Sequence, residues 1–261
     1  MSVEITMEGQ IEVSDEQASL LQILRNLVEA GEASLRAITA VGHYQHATAL
    51  LVGQMVASGQ AVHVLCVAGR ANQARPNARS MVENLINTHF IALDPDTRAK
   101  RFWIYRPIPH AQVAEARYRN FGITDELEEI RAQAAEAKKL LSGLHWASGT
   151  SIRARAKECS MLPIWELYYS EGSAFSHGDA STWNAFTTED GKAMKFGPSP
   201  EGIEAVAEPA TSALFGGLFL LSHVFEDRKL NNDLGRIAAT LPERTKRIDL
   251  QAHFELVRSK K

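Results

Sequence analysis

The run SALFGGLFLLSHVF (Ser212–Phe225) carries no acidic side chain, no lysine and no arginine, and it lies inside a helical pattern from Glu204 to Glu226. A helix that is apolar on every side has to be surrounded by other protein or by lipid. The run is shorter than the roughly 20 apolar residues that a bilayer crossing needs. It also contains Ser222, His223 and two glycines. The expectation is therefore a buried central helix, and the rest of the chain must supply the helices that wrap it.

Helical signals recur along the sequence. Ser14 with Gln17 forms a capping box ahead of the apolar stripe Leu20, Leu24, Leu27 and Val28, which predicts a helix from about 15 to 38 with Gly31 as a weak point. A second helix is expected over 43–57, closed by Ser58 and Gly59. A third is expected over 60–93, kinked or divided by Pro76. Asp94 followed by Pro95 opens a fourth that stops before Pro107. A short one follows over 109–120. Thr124 is read as the cap of the next, whose early acids (Asp125, Glu126, Glu128, Glu129) and late Lys138 and Lys139 complement the helix dipole before Gly143 ends it. Further helices are expected over 161–177, with Pro163 in the first turn, and in the tail 231–257, broken at Pro242. The pair Asp190-Gly191 between two short segments predicts a hairpin near residues 183–197. The fold class is all-α: a multi-helix bundle with a small β-hairpin insertion. One domain is expected over 1–261, with its core in 15–228 and a C-terminal helical extension in 229–261.

Composition narrows function by exclusion. The chain has 261 residues, 28 basic and 31 acidic side chains and a formal net charge of -3. That balance disfavours general coating of nucleic acid. One local basic face exists in the sequence: Arg98, Lys100, Arg101, Arg106, Arg117 and Arg119, interleaved with Trp103, Tyr105 and Tyr118, and a second patch at Arg153, Arg155 and Lys157. Two cysteines, Cys66 and Cys159, exclude a disulfide scaffold and suit a reducing cytosol. Cys66, among Val64, Leu65 and Val67, reads as a buried inert thiol. The start, MSVEITMEGQIEVSDEQ, is acidic and polar, unlike a secretory signal. The expected location is cytoplasmic, with no membrane partner.

Two polar stripes stand out. Arg79, Glu83 and Asn87 are spaced by four and share one helix stripe, while Val82, Leu85, Ile86 and Phe90 face the core. Tyr169, Ser173 and His177 are spaced the same way on the later helix, with Ser176 beside them and Glu166 three residues before Tyr169. A Tyr, a Ser and a His on one stripe can relay hydrogen bonds, and His titrates near neutral pH. The same spacings also suit a solvated ion pair and a structural network between packed helices.

The segments RSMVEN (Arg79–Asn84), WASGTSIRARAKE (Trp146–Glu158) and YYSEGSAFSHG (Tyr168–Gly178), in that order, resemble the bacterial domain of unknown function 5677 family over about 40–185. The resemblance implies that Arg79, Glu83, Tyr169, Ser173 and His177 are shared polar positions meeting across helices. It implies no activity.

Signposted chemistry is missing. There is no Glu-x-x-His, no His-Glu-x-x-His, no Cys-x-x-Cys, no phosphate-cradling Gly-x-x-x-x-Gly-Lys and no nucleophile elbow. His43, His46, His63 and His89 are therefore read as packing or surface residues, with no metal and no cofactor. Two functions remain open. One is a hydrolase for an anionic substrate: His177 as general acid or base, Arg79 binding the anion, Glu83 orienting Arg79, and Tyr169, Ser173 and Asn87 positioning substrate. The other is a non-catalytic protein whose polar cluster fixes helix packing. The expected partner is a small anionic ligand or another protein, and the oligomeric state is open.

Overall fold

The computed structural model describes residues 11–124, 126–143, 145–169 and 197–241, and they are mostly helical. In chain order the helices are α1 (Asp15–Ala37), α2 (Gly42–Val67), α3 (Ala71–Leu93), α4 (Pro95–Tyr105), α5 (Pro107–Phe121), α6 (Leu127–Leu140), α7 (Ile152–Glu158) and α8 (Leu162–Ile164). A π-helical turn (Trp165–Tyr169) continues α8, and α9 (Ile203–Val224) and α10 (Arg228–Ala238) complete the order.

The apolar segment becomes α9, against which α1, α2, α3 and α10 pack. Leu214, Leu218 and Leu221 are fully enclosed there with Leu24, Met55, Met81 and Leu85. Small residues set how closely these helices approach. A Cβ on Gly59 would sit 3.2 Å from both Leu214 and Val28, and one on Gly31 would meet Val56 at 2.7 Å and Leu218 at 2.9 Å. Both glycines lie inside continuous helices, so neither is the break that composition suggested. The break between α2 and α3 falls instead at Gly69, whose φ of 68° is a left-handed conformation that favours glycine. A side chain there would also collide with the backbone of Ser199, 2.7 Å away.

Pro76 lies in an undivided α3. It is the sixth residue of the helix, so the bond that an N–H there would make to the Asn72 carbonyl is lost without dividing the helix. Asp94 caps α4 as expected, its carboxylate accepting from Thr97 N–H at 3.3 Å. Thr124 does not cap α6. The residue at that position is Glu126, with φ of 56°. Gly143 does end the helix region, donating its N–H to the Lys138 carbonyl at 2.7 Å.

The membrane estimate from the sequence needs correction. α9 has 22 residues and, with the 26-residue α2, is long and apolar enough to cross a bilayer by length and composition. Most of α9 is buried inside the bundle, whereas α2 keeps Leu50, Val64 and Val67 exposed.

The hairpin expected near 183–197 lies almost wholly outside the described residues, as does the tail beyond 241. Among the described residues there is no strand, only a single parallel bridge between Arg70 and Ser199.

Candidate functional site

Inward-facing Ala78, Val82, Leu85 and Ile86 fix the rotation of α3. That rotation leaves Arg79, Glu83 and Asn87 along the border where α7 and the π turn pack. α7 is capped by Ser151, whose hydroxyl accepts from Ala154 N–H at 3.2 Å. Its inner stripe, Ala156 and Cys159, lies against α3, the Cys159 thiol reaching the Ile86 carbonyl at 3.9 Å. Burial pushes both cysteine thiols up to about 12, so neither supplies a thiolate at neutral pH.

The cluster forms a ring of contacts. Arg79 Nη2 donates to the Tyr169 hydroxyl at 2.6 Å, and the guanidinium lies 4.5 Å from the centroid of that ring. Tyr169 in turn donates to Glu83. Glu83 and Arg79 stand at the outer limit of an ion pair, 4.0 Å. Burial and the Glu83 carboxylate raise the Tyr169 pKa, outweighing Arg79, so the phenol holds its proton. Trp165 stacks beside Tyr169 at 6.1 Å.

Asn87 does not join Arg79. Its Oδ1 accepts from Nη1 of Arg155, a residue only 7% exposed. The Arg155 guanidinium lies 5.3 Å from the Trp146 ring. Burial lowers its pKa, while Glu83 and Tyr169 oppose that shift. Arg155 stays a cation at neutral pH, as arginines do in proteins. The Nε atoms of Arg79 and Arg155 are enclosed without a hydrogen-bond partner among the described residues.

The structure thus brings together Arg79, Glu83, Asn87 and Tyr169, and adds Arg155, which the sequence had left in a surface patch. A signal for it existed. Ile152, Arg155, Ala156 and Cys159 follow the i, i+3, i+4, i+7 pattern of a buried helix face, with an arginine in the stripe. Glu166 leaves the group and pairs with Arg153 at 3.7 Å. The π turn adds a residue to the helical period, so a spacing of three from Tyr169 does not carry Glu166 onto the Arg79 side. Ser173, Ser176 and His177 lie outside the described residues.

A cavity of about 10 Å³, lined by Arg75, Arg79, Tyr168, Val206 and Pro209, holds about one water. Two larger clefts went unread in the sequence. One, about 300 Å³, is lined by Ser222, His223, Glu226, Asp227 and Arg228. The other, about 270 Å³, lies between α1 and α2 beside Arg25, Glu29 and His63.

The basic face is partly consumed by the fold. Arg98 pairs with Glu158 at 2.5 Å, and Arg101 donates to the Trp146 carbonyl at 3.1 Å. Among the histidines, His46 bonds the Gly42 carbonyl at 2.6 Å and His89 is buried. No group of three or more His, Cys, Asp or Glu able to hold a metal occurs among the described residues.

A helical bundle with one polar seam is what the fold and geometry define. The chain belongs to the Family of unknown function (DUF5677), whose model matches residues 45–194 and so spans the whole seam. No curated protein and no solved structure matches the chain.

Proposed function

We propose that the seam between α3, α7 and the π turn is the binding site for an anionic substrate, and that the protein hydrolyses it. The observation that carries this reading is the charge count. Two guanidinium groups, Arg79 and Arg155, share one carboxylate, Glu83, among the described residues. Such a surplus of positive charge in a half-buried seam attracts an anion and stabilises negative charge developing in a transition state. In this reading His177 moves the proton as general acid or base, and Tyr169, held by Arg79, positions the substrate together with Ser173 and Asn87. The cavity beside Arg79 that Val206 and Pro209 line admits little more than a water. In this reading the anionic group meets the seam at its outer edge, and the rest of the substrate lies beyond it. The free, buried cysteines support a cytosolic setting.

The test is a panel of phosphomonoesters, phosphodiesters and carboxylic esters offered to the full chain, with H177A and E83Q alongside. Turnover of one class, lost in both variants at unchanged melting temperature, is the expected result. Variants that only lower the melting temperature, with no turnover by the wild type, would leave the seam a packing device.

A further inference from the structure

Several of the described arginines have carboxylate partners: Arg25 with Glu29 at 2.9 Å, Arg36 with Glu32 at 2.8 Å, and Arg131 with Glu115 at 2.6 Å. Arg155, 7% exposed, has none among the described residues. Its one hydrogen bond there goes to a neutral amide, the Asn87 Oδ1. The nearest acid, Glu83, is already engaged by the Tyr169 hydroxyl and by Arg79. Folding that needed only stability would leave a buried permanent cation beside a carboxylate, or replace it by hydrocarbon.

We infer that Arg155 is the residue that grips the ligand's oxyanion, a phosphoryl or carboxylate head, with Asn87 as its positioning partner. Arg79 is tied up in the ring with Tyr169 and Glu83. Arg155 Nη2 has no described partner and is not among the fully enclosed atoms, so this end of the guanidinium keeps some accessible surface. A planar guanidinium pairs two N–H groups with two oxygens of such a head. Asn87, by accepting from Nη1, fixes the plane of that fork and keeps its own Nδ2 for donation. The Trp146 ring, 5.3 Å away, favours the cation through its π face. This inference rests on the reading of the seam as a ligand site, but it does not require hydrolysis.

The experiment uses the full chain and inorganic phosphate, followed by calorimetry and phosphorus NMR, with acetate as a parallel probe. Saturable binding of either anion is expected, weakened at least tenfold in R155M and partly retained in R155K. The preferred anion then names the head group. N87D places a carboxylate against Nη1. It should raise the melting temperature and displace the anion, again by at least tenfold in affinity. This variant keeps the test decisive if R155M does not fold. Anion binding unchanged in R155M overturns the assignment. So does a wild type that binds neither anion while N87D lowers the melting temperature, because the cation then already has an internal counter-ion. Anion binding through Arg155 with no turnover of any ester would remove the hydrolase reading and leave this one standing.

Discussion

Around α9 the enclosed side chains are mostly hydrocarbon, with the hydroxyls of Thr211, Ser212 and Ser222 among them, and they meet other hydrocarbon from α1, α2 and α3. Around α7 the enclosed side chains are a thiol, an alanine and a guanidinium. Both helices bury what they carry, but water is excluded for different reasons. Leu214 and Leu218 are driven inward by their own transfer free energy. Arg155 is carried inward by Ala156 and Cys159 beside it on a seven-residue helix, against the preference of its own charge. A buried group that its own chemistry would leave outside points to a role other than stability.

The sharpest way to break this contrast is to truncate one side chain in each region. Leu214→Ala, at a fully enclosed position, should cost about 2–5 kcal/mol in urea or thermal unfolding, because the cavity adds to the lost transfer energy. A cost well under 1 kcal/mol would mean that α9 is not the packed centre. Tyr169→Phe keeps the ring over Arg79 but removes the hydroxyl that joins Arg79 to Glu83. It should cost about 1 kcal/mol, and an effect as large as that of Leu214→Ala would place the polar ring among the main supports of the fold.

The smallest effect is one of pH. Burial, and after it the Arg155 charge, holds the His145 pKa below its ordinary value of 6.5. The unfolded chain therefore takes up that proton first. Stability from this group is fully present above 6.5 and is lost as pH falls through the lower folded value. Arg155→Met should move His145 back toward 6.5 in an NMR titration and narrow that window. A His145 pKa that does not move would show that the guanidinium charge is already neutralised in the fold.

What could be read from the residues depended on which interaction decided them. Ser14 with Gln17 and Asp94 with Pro95 were legible as helix starts because a cap is a contact within four residues. Glycine misled at 31 and 59, since close helix packing and chain termination both select a residue without a side chain. Only the neighbours, Leu214, Leu218 and Val56, tell the two apart. The stripe Arg79, Glu83 and Asn87 was correctly placed on one helix, but Asn87 turned to Arg155 rather than to its own stripe, over a separation of 68 residues. The π turn was invisible to a period of 3.6, and so Glu166 was put with Tyr169 when it pairs with Arg153.

The sequence by itself determined an all-helical chain built round one apolar helix, and its membership of a family through three ordered segments. Both are properties of local period and residue identity, which survive without any knowledge of neighbours. Tertiary structure alone decided which charges meet. A guanidinium 68 residues from its amide partner finds it only after α3 and α7 have been rotated by their apolar faces. That no carboxylate pairs with it among the described residues is a fact of that packing, because every arginine in the sequence looks equally free to find an acid.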